Sequence, residues 1–462
     1  MRCSKPQSIA LPGIIILLLS IPFFAFSQRK EFAPVIQDSI ALHNLLVNYQ
    51  QQFDQDLVNL PAINKKDLSE VYRLRWKSIE EKFDKQEIFL SASAQSYLNQ
   101  IVSEIRKSNP SISKTEFSCY FSRSYIPNAS YIGEGLILFN MGLFQRLDNE
   151  SEVAFILCHE IAHFLLQHAE KSMNDYVTMM NSKATQAELS KIKKSEYGKR
   201  ERLLNLVEGL TFDSRRHSRS HESQADSMAV ELLRNTRFSI SGAVTTMEKL
   251  DVIDTDTLNI ADCLAKMFNA TQYPFQKRWL SKDAGLLGGL AKLAGEEMAD
   301  SLKTHPDCKK RIELLRNQMK DWRQTTSSNF ILDSVRFVNL RDDFRYETAE
   351  YAYIDKNYTR SLFLTMELIN AKPGDAYLVT HIGKLLNGLY IGQKTHTLGK
   401  VIDYPSPGNQ PNYNLLLQFV QNLYLDEIAG INYYFLLRYQ SQMSAYTPFR
   451  RVFSDSERFF HD

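Results

Sequence analysis

Hydrophobic residues recur at helical spacing over 94-AQSYLNQIVSEIRKS-108, where Leu98, Ile101, Val102 and Ile105 share one face. Asn109-Pro110 ends that pattern. The period then shortens: 115-TEFSCYFS-122 alternates and predicts a strand, and 126-IPNASYIGEGLILFN-140 predicts a turn, a Gly-bracketed bend and a second strand over 136–139. Apolar positions Val153, Ile156, Leu157, Ile161, Phe164 and Leu165 return to helical spacing. Asn149 is placed to cap that helix, and Glu152 three residues on suits a capping-box contact. A further helix is expected over 221–235. Three stretches carry weaker patterns. Residues 30 to about 85 have mixed charge and read as a solvated helical collar. Residues 170–205 are charged without an obvious apolar stripe, which fits an extended helix or a surface segment. The region 250–300 includes GLLGGLAKLAG, a flexible loop or loosely packed helix. Together the patterns predict an α+β fold that is predominantly helical, with a small β-sheet.

Length and ends refine the domain picture. A chain of 462 residues suggests about three units. The start, MRCSKPQSIALPGIIILLLSIPFFAFSQ, has a basic end, an apolar run broken by Pro12 and Pro22, and Ala25-Phe26-Ser27 before Gln28. It predicts a cleavable secretory signal over 1–27 in preference to a membrane anchor. Cys3 precedes the apolar run and is misplaced for a lipoprotein cysteine. The expected units are an N-terminal helical segment over 28–88, a central domain over 89–320 and a Tyr- and Leu-rich helical domain over 330–462. No later segment is apolar enough to span a bilayer, so at most peripheral membrane contact is expected. Without Arg2 and Lys5 the basic and acidic residues balance, which gives no bulk charge for nucleic acid. Cys119, Cys158, Cys263 and Cys308 remain; they show no zinc-ribbon spacing, and export would permit a Cys263–Cys308 bridge.

The chemistry gathers in 159-HEIAH-163. One helical turn separates His159 from His163, so two imidazoles can converge on one ion. Glu160 lies about 100° further round, where it can reach a water without being a ligand. That is the arrangement of a zinc hydrolase with Glu160 as general base. On a straight helix His168 falls off the ligand face, which implies a structural or surface role. A catalytic zinc needs a third protein ligand. In 222-ESQAD-226, Glu222 is the candidate and Asp226, one turn on, can orient a ligand histidine. His217 and His221 form a rival pair, ranked lower because SRRHSRSHE is strongly basic.

These residues resemble a known family. HEIAH followed about sixty residues later by ESQAD is similar to the gluzincin peptidases that include the CAAX prenyl endopeptidases and the protease HtpX. The segments 127-PNASYIGEGLILFNMGLF-144, 226-DSMAVELLRNTRFSISGAVTTMEKL-250 and 304-THPDCKKR-311 match the family's order. Asn235-Thr236-Arg237-Phe238 departs from the family's usual Ala-Gly-Tyr turn, and Glu134 stands where small residues are usual. The resemblance implies a zincin-like metallopeptidase domain with one Zn²⁺ per chain, held by His159, His163 and Glu222. It implies an extended substrate running beside 136–139, with Asn128, Ala129, Leu136, Ile137 and Leu138 as the substrate strand. His305 is the candidate oxyanion stabiliser, with a plug of the open metal position and a helix cap as alternatives. In 356-KNYTRSLFLTMELINAKPGD-375, Ser361, Thr365, Leu368 and Pro373 occupy positions resembling helix B of a tetratricopeptide repeat, although Thr365 and Leu368 depart from it. The closest likeness is to a soluble periplasmic branch of outer-membrane protein quality control. Expected partners are unfolded or misassembled polypeptides in a Gram-negative envelope, and an envelope assembly machine contacting 330–462. The competing expectation is a chaperone-like or scaffold protein with latent or weak protease activity.

Overall fold

The computed structural model describes residues 32–194, 219–253, 255, 258–281, 308–324, 327–406 and 408–462. The expected signal over 1–27, His217 and His305 lie outside the described residues. Two helices come first, α1 (Ser39–Asn59) and α2 (Lys65–Asp84), followed by the short strand β1 (Ile88–Phe89) and α3 (Ala92–Ser108). Strands β2 (Ser118–Ser122), β3 (Ala129–Gly133) and β4 (Leu136–Asn140) complete a four-stranded mixed sheet in the order β1-β2-β4-β3. A single turn, α4 (Met141–Phe144), leads to the central helix α5 (Glu150–Leu165), then α6 (His168–Met180) and α7 (Lys183–Lys194).

Four residues of β4, Leu136 to Phe139, are buried, which requires cover on both sheet faces. Alternation divides them. Ile137 and Phe139 join the cluster containing Leu98, Ile101, Phe155 and Ile161 from α3 and α5. Leu136 and Leu138 face the other way, against Phe53, Tyr72, Trp76 and Ile79 of α1 and α2. Residues 32–85 therefore do not form the solvated collar expected there. Their aromatic stripe covers the second face of the sheet, and Phe53 stacks on Trp76 at 4.9 Å.

The sheet also revises the expected substrate strand. β4 pairs in parallel with β2 and antiparallel with β3, so both of its edges are taken. Leu136, Ile137 and Leu138 have no backbone edge left for a substrate. Among the described residues the outer strands are β1 and β3; β3 carries Ala129, Asn128 immediately precedes it, and its outer edge is free. The Gly-bracketed bend is in fact the end of this strand and a two-residue hairpin loop, Glu134-Gly135, both at positive φ (49° and 71°).

Glu134 accepts the left-handed conformation, at about 1 kcal/mol, while its carboxylate pairs with Arg75 of α2. Its side chain is 1% exposed. Burial pushes this carboxyl up to about 7, with Arg75 acting in the opposite direction. A folded-state pKa above the unfolded value gives a contribution fully present below about pH 4.3 and lost as pH rises through 7. Thermal unfolding should therefore show stability falling from pH 4.5 to 7.5. Glu134→Gln, which keeps an acceptor for Arg75, should remove on the order of 2 kcal/mol of that fall. Equal slopes in the two proteins would refute the assignment.

Downstream lie a helix through 219–234 (α8), α9 (Ser241–Val252), α10 (Ile260–Phe268) and α11 (Cys308–Met319). α9 crosses α5 closely at Gly242, where a Cβ would come within 2.7 Å of the Ser151 backbone. Beyond 330 come α12 (Ser334–Ile354), α13 (Tyr358–Ala371), α14 (Ala376–Lys394), α15 (Pro411–Asn422), α16 (Leu425–Leu437) and α17 (Thr447–His461); α12, α13 and α14 pack in sequence, α14 also packs on α16 and α17, and α15 packs on α10 and α13. Buried Glu150, the first residue of α5, accepts hydrogen bonds from the backbone N–H groups of Ile331, Leu332 and Asp333 at 2.8–2.9 Å. Arg123 pairs with Glu347 of α12 in a second buried tie. Residues 33–462 thus form one compact unit. Cys263 is a free thiol, so it makes no bridge to Cys308. Among the described residues no helix is long and apolar enough to cross a membrane.

Candidate metal centre and active site

Burial explains why α5 carries the chemistry. Every residue from Glu150 to Ala162 is buried, so the helix is surrounded on all sides. Asn149 caps it by accepting from the Glu152 N–H at 3.1 Å. Glu152 reaches back to the Asp148 N–H at 2.8 Å, one residue short of a capping box. This rigid helix presents His159 and His163 on one face, their Nε2 atoms 3.0 Å apart. From α8, Glu222 places Oε2 3.4 Å from His159 Nε2 and Oε1 3.3 Å from His163 Nε2. Among the described residues, His159, His163 and Glu222 are the group whose donor atoms could hold a metal ion.

The electrostatics fit a cation. Two imidazole nitrogens and a carboxylate this close need positive charge between them. Burial opposes a charged His159, yet Asp226 and Glu222 raise it to about 10. Against the effect of their own burial, Glu222 is held well below the usual carboxylate range by His159, His163 and Arg311, and Asp226 is lowered by Arg311 and His159. A metal ion supplies the same compensation through a two-histidine, one-carboxylate donor set that suits zinc.

Around the cluster, Asp226 Oδ1 lies 3.0 Å from His159 Nδ1, a close polar contact without good hydrogen-bond alignment. Arg311 of α11 donates to both Asp226 oxygens, Nε to Oδ2 at 2.7 Å and Nη2 to Oδ1 at 2.8 Å. Its Nη2 also lies 3.1 Å from Glu222 Oε2. Sequence reasoning missed this role, because Arg311 ends the basic run KKR and nothing local points it inward. Glu160 is 7% exposed, and burial raises its carboxyl. Its Oε2 accepts from the Tyr131 N–H on the free edge of β3 at 2.7 Å. The open space here is about 450 Å³, walled by Asn128, Ala129, Ser130 and Tyr131 on one strand and by Thr246, Met247 and Leu250 on α9. A larger space of about 920 Å³ shares Tyr131 but none of these histidines.

His168 does not point away from the ligand face, as a straight helix would require. α5 stops at Leu165, Gln167 turns left-handed (φ 53°), and α6 begins at His168, folding its ring back against the cluster. His168 Nδ1 lies 2.9 Å from His163 Nδ1, and its ring stacks on His221 at 4.2 Å. Burial, followed by His163, His221 and Lys171, takes His168 down to about 4, with Gln224 opposing. His221, the rival ligand, is thus beside the cluster but not among its donors.

Comparison with known families matches residues 92–319, from the start of α3 to the end of α11. These residues belong to peptidase family M48. The matched span includes β2, β3, β4 and both helices that carry the cluster. The M48 domain is therefore a metallopeptidase, of the family of CAAX prenyl endopeptidases and HtpX-like gluzincins, whose members are zinc-dependent. No curated protein matches the chain.

Proposed function

We propose that the chain is a zinc endopeptidase that cleaves unfolded or misassembled polypeptides in the cell envelope, with His159, His163 and Glu222 holding one Zn²⁺. The observation that carries this reading is the convergence of those three side chains within 3.4 Å, with Glu160 beside them. A zinc ion there supplies Lewis-acid polarisation of the scissile carbonyl and makes a water acidic near neutral pH. Glu160 accepts the proton of the attacking water and passes one to the leaving amine. The Tyr131 N–H holds the carboxylate for that transfer. Substrate lies as an added strand along the free edge of β3, so recognition is mainly through the backbone and accepts many unfolded sequences. The secretory pattern at 1–27 supports an envelope location, and the helices beyond 330 are the proposed surface for an assembly machine.

A metal-depletion experiment tests the proposal. The purified chain should degrade unfolded casein, lose that activity to a zinc chelator and recover it with one equivalent of Zn²⁺. Undiminished cleavage by the metal-free protein would overturn it.

A further inference from the structure

We propose that His168 is a positioning residue, which with Gln224 fixes the His163 ring in the tautomer whose bare Nε2 faces the metal centre. The inference rests on the proposed zinc site and adds the device that prepares one of its ligands.

Two ring nitrogens 2.9 Å apart, His168 Nδ1 and His163 Nδ1, must have one donor and one acceptor. The other end of His168 decides which is which. Its Nε2 lies 3.3 Å from Gln224 Oε1, while Gln224 Nε2 is turned to Ser220 Oγ. A carbonyl oxygen can only accept, so the proton of a neutral His168 sits on Nε2 and its Nδ1 is bare. His163 must then donate from Nδ1, which leaves its Nε2 lone pair free, 3.3 Å from Glu222 Oε1. Asp226 addresses the outer nitrogen of His159 in a parallel way. The geometry is constructed from two separate places. The left-handed Gln167 returns His168 to the cluster, and α8 supplies Glu222, Gln224 and the parallel His221 ring that fixes its plane. At 3% exposure His168 has little access to water as an alternative partner.

The readout is zinc affinity, measured by competition with a chromophoric chelator, independently of proteolysis. His168→Phe keeps the ring stacked on His221 but removes the acceptor; zinc binding should weaken about 10–100-fold, with metal-free thermal stability close to wild type. His168→Asn places an amide oxygen near the lost Nδ1 and should recover most of the affinity. Gln224 is exposed, so Gln224→Met tests the relay without disturbing the core and should weaken zinc binding severalfold. It decides the matter if His168→Phe does not fold. Wild-type affinity in His168→Phe, or in Gln224→Met when His168→Phe does not fold, would overturn the inference, as would His168→Asn binding as poorly as His168→Phe. A wild-type chain that binds no zinc would instead overturn the metal-centre reading itself.

Discussion

Glu160→Gln should lower the cleavage rate by about 10²–10⁴-fold while the protein still binds one zinc. The glutamine is isosteric, and its amide oxygen can still accept from the Tyr131 N–H that now meets Glu160 at 2.7 Å. Packing around the 7% exposed side chain is therefore retained. What disappears is the ability to take a proton from the attacking water and return it to the leaving amine. His159, His163 and Glu222 are untouched, so metal content should not change. Single-turnover cleavage of a fluorogenic peptide, beside metal analysis of the same samples, separates the two effects. A variant that cleaves at the wild-type rate would remove Glu160 from the mechanism. A variant that loses both rate and zinc would make it a ligand or a packing residue.

The second large effect is expected at Arg311. Replacement by Met preserves much of the side-chain volume but leaves Asp226 and Glu222, now at 2.7–3.1 Å from the guanidinium, without their shared cation. Breaking a buried ion pair by removing one partner costs about 3–5 kcal/mol. Arg311→Met should therefore be destabilised by that amount in the metal-free state. Zinc binds the folded site and returns part of the loss by mass action. Denaturant unfolding with and without zinc checks both statements. The double variant Arg311→Met/Asp226→Asn should be more stable than the sum of the single changes predicts, because the neutral amide no longer needs the guanidinium. Strict additivity would show that the two side chains do not act as a pair.

Both predictions start from residues that differ in how visible they were. Glu160 was legible because the spacing of HEIAH is a local property: 3.6 residues per turn fixes the relative directions of His159, Glu160 and His163 wherever the helix sits. The same argument placed Glu222 and Asp226 on one face of a second helix. It failed for His168, because it assumed an unbroken helix through Gln167. The departure there is a single backbone conformation, with no glycine to announce it. Arg311 was illegible for another reason. Its value depends on a carboxylate 85 residues away, and no local pattern records that distance in space.

The strands show the same division. Alternation in 115–122 and the apolar run at 136–139 located β2 and β4, but not their order. β4 became central because all four apolar side chains needed cover, and that cover came from α1 and α2 on one face and α3 and α5 on the other. Once β4 was enclosed, the outer edges of the sheet were those of β1 and β3, and β3 is the one that meets the cluster, through the Tyr131 N–H on Glu160. By itself the sequence determined the helical class, the spacing of the candidate metal ligands and the place of the proposed base, since each follows from backbone geometry over a few residues. Tertiary structure alone decided which strand is free, where His168 points and which cation balances Asp226. Those outcomes depend on burial, and a buried edge or charge is settled only by whatever distant part of the chain arrives to satisfy it.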